Sequence, residues 1–154
     1  RKLIKVKLEI DTNPPMGSRY ETRYIAFPVM AAVTTQTLAS GFAMKLGALL
    51  GRRYTKGRDW YDFIWYIGKR IVPDLDLIQN CFNQQGPWVG RKLRISPDWL
   101  EKSLKKRITE INWEIARQDV QRFLPLREQE TLRLWEREFF LHHLGIFAEY
   151  VVAS

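Results

Sequence analysis

Ala43-Met44-Lys45-Leu46-Gly47-Ala48-Leu49-Leu50-Gly51-Arg52-Arg53-Tyr54-Thr55-Lys56-Gly57-Arg58-Asp59-Trp60-Tyr61-Asp62-Phe63 is the stretch that decides the fold of this chain. One lysine, Lys45, stands inside an otherwise apolar run. A short basic loop follows, and the next segment opens on two carboxylates, Asp59 and Asp62. From about residue 36 the positions Leu38, Phe42, Leu46, Leu49 and Leu50 recur at the helical period and make one apolar stripe. Gly41, Lys45, Ala48 and Arg52 fall on the adjacent face, so small side chains flank Lys45 and leave room for a ligand. Residues 58–71 predict a second helix. Trp60, Phe63, Ile64, Ile67 and Ile71 point inward, while Asp59, Asp62, Tyr66 and Lys69 share the other face.

Downstream the chain stays helical. Pro73 stops the second helix and 74–84 predicts a short one. Residues 83–87 (Asn-Gln-Gln-Gly-Pro) form a loop. Ser96-Pro97 starts another helix, with serine as N-cap and proline at the first helical position. It runs to about 110 on the stripe Leu100, Leu104, Ile108 and Ile111. Residues 113–122 predict one more helix, ended by Pro125. The last is expected over 127–151, with Leu132, Trp135, Phe139, His143, Ile146 and Tyr150 inward. His143 then faces the core and His142 the surface.

Upstream, residues 2–11 alternate. Ile4, Val6, Leu8 and Ile10 point one way, and Lys5, Lys7, Glu9 and Asp11 the other, as in a half-buried strand. Residues 13–18 close it as a loop. Residues 24–34 read as extended, with Pro28 marking an edge or a break. The expected fold class is therefore α+β, mainly α. A short β element, at about 2–11 and 24–34, precedes a bundle of five to six helices. The 154 residues make one compact unit, in which 1–70 carry the lysine and carboxylate motif and 71–154 form a helical region.

Bulk composition narrows the function classes. No apolar run is long enough to span a membrane, and Arg1-Lys2-Leu3-Ile4-Lys5 lacks the apolar core of a signal peptide. A single cysteine, Cys81, excludes an internal disulfide framework and suits a reducing cytoplasm, the expected location. The net charge of +8 favours anionic partners. Much of it sits between 91 and 107, where Arg91, Lys92 and Arg94 precede the helical ridge Lys102, Lys105 and Lys106. Such a ridge either tracks a nucleic-acid backbone or is an ordinary solvated face.

The residues around Lys45 suit phosphate chemistry. Nucleotidyl transfer needs cations on the phosphates and carboxylates for a metal ion. Lys45 is either a phosphate contact or a lysine snorkelling at a helix edge. Asp59 and Asp62 are either functional or favourable partners of a helix N-terminus. Arg58 can grip a phosphate or pair with a carboxylate, and Arg52 and Lys56 are further candidates for binding substrate. Glu9 on its strand is a candidate metal ligand or a member of a solvated face. Trp88, Trp99 and Trp113 lie near the basic stretch and either stack bases or pack. No Cys/His cluster, Ser/His/Asp arrangement or Walker-type loop is present.

The run Lys45-x-x-Ala48-Leu49…Arg52-Arg53…Lys56-Gly57-Arg58-Asp59-x-Tyr61-Asp62 resembles the third and fourth motifs of the AbiEii family of nucleotidyltransferase toxins, which includes the MenT-type toxins. Lys5-Val6-Lys7-Leu8-Glu9-Ile10 looks like that family's strand bearing a further acidic residue. The resemblance covers roughly residues 3–67. It implies a nucleotidyltransferase-like domain joined to a helical one, transfer of a nucleotide from an NTP with Mg²⁺, an acceptor such as tRNA or another RNA, and a cognate antitoxin. By motif match Lys45 contacts phosphate, Asp59 is catalytic, Asp62 supports that site and Glu9 is a third carboxylate. The family's Gly-Gly-Thr or Gly-Ser turn and Asp-x-Asp strand belong before residue 1, and Gly17-Ser18 is no substitute. The chain is thus expected to be either the C-terminal portion of such an enzyme, inactive by itself, or a degenerate member of the family. The alternative from another class is a non-catalytic helical module that binds nucleic acid or an antitoxin.

Overall fold

A computed structural model describes residues 7, 8 and 10–153. Two antiparallel strands, β1 (Tyr20–Ile25) and β2 (Ala31–Gln36), lead into the helices. Their register runs from Tyr20 opposite Gln36 to Ile25 opposite Ala31. The expected extended run at 24–34 is thus corrected to a hairpin that starts earlier and turns at 26–30. Pro28 explains the break, because it has no N–H for a ladder and its φ is fixed. The strand expected at 2–11 lies largely outside the described residues. Leu8, Ile10 and Asp11 carry no regular structure, and the apolar face expected of that strand is exposed at Leu8 and Ile10.

Helix α1 (Leu38–Gly51) begins at Thr37, whose side chain accepts the Ser40 N–H. It packs against α2 (Gly57–Gly68) and α3 (Leu75–Gln84). Asp74 caps α3 and Ser96 caps α4 (Pro97–Glu110). Asn112 caps α5 (Trp113–Gln121), which lies against α2. Each cap satisfies an N–H that the first helical turn leaves orphaned.

The single C-terminal helix expected over 127–151 is corrected to three pieces. They are α6 (Leu126–Gln129), a 3₁₀ helix (Glu130–Leu134) and α7 (Arg137–Val152). Trp135 is the cause. It leaves helical geometry and is buried edge-on against Phe140 and tilted on Tyr61. The break shifts the buried stripe by one position, to Phe140, Leu144, Phe147 and Val151. His143 is accordingly half-buried, its Nδ1 2.8 Å from the Phe139 carbonyl, and His142 is exposed.

The core is dense in aromatics. Trp60 meets Phe63, Trp113 and Phe140 edge to face, and Trp113 stacks on Phe140 at 3.9 Å. Edge-to-face pairs suit the ring quadrupoles and add to the area buried. Trp88 and Trp99 pack on Phe82. All three tryptophans near the basic stretch are thus engaged in packing. The outcome is a helical body that holds α1 and α2 rigidly side by side, with the lysine and the two aspartates at their seam.

Candidate active site

Two helical repeats create the site. Lys45 sits on one face of α1 and Arg52 caps the C-terminal end of that helix seven residues on, while Asp59 and Asp62 lie one turn apart on one face of α2. Packing the helices together brings the faces into register. Lys45 Nζ donates to Asp59 Oδ1 at 2.9 Å and lies 2.7 Å from Asp62 Oδ2. Arg52 Nη1 donates to the other oxygen of Asp59. Asp59 is only 4% exposed, so both of its oxygens are matched by cations in a place where an unpaired carboxylate would be costly. The Asp62 side chain is 44% exposed. Burial works against the Lys45 charge, but the hydrogen bonds it donates to Asp62 and Asp59, with the charges of both carboxylates, outweigh it and raise the lysine's pKa above its ordinary value. Lys45 is therefore a fixed ammonium at neutral pH.

Three residues with no evident sequence signal hold this seam. Arg107 of α4 donates to the carbonyl of Arg52 at 3.0 Å, and its Nη2 lies 3.5 Å from the carbonyl of Tyr54, which fixes the turn after α1. Asp119 of α5 accepts the Gly57 N–H at 2.8 Å. Ala116 of α5 leaves no room at the same point. A Cβ on Gly57 would come within 2.1 Å of its carbonyl oxygen, so only glycine lets α5 sit on the start of α2.

A cleft opens on each side of Lys45. The first, about 480 Å³, lies between α1 and α3. Lys45 and Arg52 supply its charge, Gly47, Ala48 and Gly51 keep it open, and Cys81 and Phe82 give it an apolar wall. The second, about 330 Å³, lies over the start of α2 and is lined by Lys45, Lys56, Arg58, Tyr61 and Phe123 among others. Among the described residues Arg58 pairs with no carboxylate. Its guanidinium lies 4.3 Å from the centre of the Phe123 ring. Of the sequence candidates, Lys45, Arg52, Lys56, Arg58, Asp59 and Asp62 thus meet at one place. Glu9 lies outside the described residues. Lys102, Lys105 and Lys106 are exposed on α4, and Arg91, Lys92 and Arg94 are exposed before it. None of the six lines either cleft.

Among the described residues no group of three metal-ligating side chains gathers. Asp59 is sealed by its two cations, which leaves Asp62 as the carboxylate of the pair open to an ion from solvent. Likewise among the described residues, no helix is long and apolar enough to cross a membrane.

No curated protein and no solved structure matches the chain significantly. Residues 1–141 match the family described as "Nucleotidyl transferase AbiEii toxin, Type IV TA system". That match spans both halves of the seam, Lys45 and Arg52 with α1 and Asp59 and Asp62 on α2, and it bears out the family resemblance. The chain belongs to the AbiEii family of nucleotidyltransferase toxins of toxin–antitoxin systems.

Proposed function

We propose that the Lys45–Asp59–Asp62–Arg52 cluster is the phosphate-handling part of a nucleotidyl-transfer site, with an NTP as donor and an RNA such as tRNA as acceptor. The observation that carries this reading is the fixing of two cations, by one buried carboxylate, at the edge of the larger cleft. Preorganised cations stabilise charge that develops on a leaving phosphate without reorganising during the reaction. In the transfer a hydroxyl oxygen of the acceptor attacks the α-phosphorus. The bond from that phosphorus to the β-phosphate oxygen breaks, pyrophosphate leaves, and the hydroxyl proton passes to solvent. Lys45 and Arg52 bear the charge gathering on pyrophosphate. Asp59 acts through them as a positioning residue.

Asp62 would hold a Mg²⁺ arriving on the NTP phosphates, a mode of binding that needs only one or two protein carboxylates. The ion would neutralise phosphate charge. A cognate antitoxin, which membership of the family implies, would act by covering this seam. The exposed ridge Lys102, Lys105 and Lys106, with Arg91, Lys92 and Arg94, would track the RNA backbone outside the clefts.

The test starts with binding. A labelled NTP should bind the protein, and Lys45→Ala should weaken it. Where transfer to RNA is followed in the presence of Mg²⁺, Lys45→Ala should lower the rate on the order of 10²-fold or more, the usual cost of losing one charge-stabilising contact. Full transfer by a folded Lys45→Ala variant removes the assigned role.

One observation favours a second reading, a non-catalytic module that binds nucleic acid or an antitoxin: the four charges of the cluster already satisfy one another. On that reading Lys45→Ala lowers stability and leaves NTP binding where it was.

A further inference from the structure

The second cleft holds a group of side chains that phosphate chemistry does not require. Phe123, just beyond α5, is 49% exposed. A phenylalanine with that much surface in water is either incidental or a contact. Here it is built into a stack, because the guanidiniums of Arg58 and Arg122 both lie over its ring, 4.3 and 4.8 Å from the centroid. Arg122 is tethered by Asp119 at 3.3 Å, and the same carboxylate holds the N–H of Gly57, next to Arg58. Tyr61 stands on the same wall with its hydroxyl donated to Glu128 at 3.1 Å, which leaves the ring as its contribution to the cleft. Lys56 adds a further cation at the entrance.

We infer that this cleft is a stacking site for an unpaired nucleotide at the end of a single-stranded RNA, with Tyr61 and the Arg58 guanidinium backed by Phe123 offering planar faces to the base and Lys56 meeting the backbone. Flat rings and guanidinium planes next to mobile cations are what an unstacked base and its phosphate need, and a base paired in a duplex has no free face to offer. An acidic peptide is the competing occupant. It would use the cations but leave the planar faces idle, and it would meet Asp62 and Glu128. The site rests on reading the Lys45 seam as the transfer site. The two clefts share Lys45, so a nucleotide seated in the second lies across that lysine from an NTP in the first.

The experiment is fluorescence anisotropy on the whole chain with three probes of equal label. They are a ten-nucleotide single-stranded RNA, the same strand in a blunt duplex, and a decaglutamate peptide. Phe123→Ala removes the backing of the Arg58 plane and should weaken single-strand binding by about tenfold, as loss of one base stack does, with the salt dependence unchanged. Phe123→Trp should restore it. Arg58→Ala should weaken binding and flatten the salt slope by about one, since it removes a cation near the phosphates. Phe123 is half in water, so neither of its variants is expected to unfold the protein, and circular dichroism checks that. Equal single-strand affinity for the parent protein and Phe123→Ala overturns the stacking site. Duplex or decaglutamate binding as tight as the single strand, and equally sensitive to Phe123→Ala, overturns it as well. The transfer-site reading fails separately. If Lys45→Ala leaves NTP binding intact while Phe123→Ala still costs single-strand affinity, the seam loses its role and the stacking site stands.

Discussion

Two regions of this molecule carry most of its functional charge, and they are built in opposite ways. At the seam of α1 and α2, Lys45 and Arg52 are held by a buried aspartate, and every charge has a partner within the fold. Along α4 and the loop before it, Lys102, Lys105, Arg91, Lys92 and Arg94 stand in water, and Lys106 lies 3.8 Å from Glu110 one turn on. The seam spends conformational freedom during folding so that its cations are already in place when a ligand arrives. The ridge keeps its freedom and acts through summed field alone. The first arrangement suits one charged atom group at one position. The second suits a long anion of any sequence.

The sharpest way to break that contrast is to remove the central carboxylate. Asp59→Ala leaves Lys45 and Arg52 facing each other across a part-buried gap. Breaking such a pair from one side should cost about 3 kcal/mol, the lower end for buried pairs because both cations keep some water contact. Urea denaturation would read this as a lower midpoint at unchanged slope. An unchanged midpoint would mean that the cluster contributes no more than the ridge does.

Next in size is Gly57→Ala. The added methyl meets the Ala116 carbonyl, so α5 must retreat from the start of α2 or the turn must shift. Overpacking of this kind costs about 1–3 kcal/mol. If the seam depends on α5 as a brace, the variant should also lose NTP affinity while Asp119→Asn, which keeps the shape, loses less. Equal loss in both, or none in either, would detach α5 from the site.

The same contrast explains how much was legible in the sequence. Lys45, Arg52, Asp59 and Asp62 were legible because helical spacing puts each pair on one face, and because a charged residue in an apolar run needs a reason. The N-cap at Ser96 and the start of its helix followed from local chemistry. What failed depended on distant partners. The pairing of Tyr20–Ile25 with β2 required knowing which strand it meets. The break at Trp135 required knowing that Phe140 and Tyr61 make a seat for it. The roles of Arg107 and Asp119 were hidden for the same reason: a cation in a basic run and an aspartate in a polar helix look ordinary until the carbonyls and the N–H they hold come from residues 52–57.

The ridge supplies a smaller effect of a different kind. Replacing Lys102, Lys105 and Lys106 together with Glu should leave stability nearly unchanged, since exposed substitutions usually fall within about 0.5 kcal/mol each. RNA affinity should drop for all sequences alike, and the salt slope should flatten, because phosphate contacts release counterions and read no base. Unchanged RNA affinity at low and moderate salt would return the ridge to an ordinary solvated face and leave the seam and its clefts as the functional surface.

The smallest effect comes from Cys81, which sits in the wall of the first cleft yet is buried. Burial pushes its thiol from 9.0 up to about 11. The sign follows from proton counting. Between those two values the unfolded chain has released the proton and the folded chain still holds it, so the folded state loses ground as the pH rises through that window. Stability should be independent of this group below about pH 8 and should fall by on the order of 1 kcal/mol between pH 8 and pH 10. Because several tyrosines are shifted in the same direction, the measurement must be differential. The parent chain and Cys81→Ala are each denatured in urea at pH 8 and pH 10, and the alkaline loss should be smaller in the variant. The raised pKa also predicts slow alkylation by iodoacetamide at pH 8, because the thiolate is the reactive form. Rapid alkylation of the folded chain would show that the first cleft opens to solvent at its apolar wall. The seam would then be less sealed from water than its buried aspartate implies, and closer in kind to the ridge.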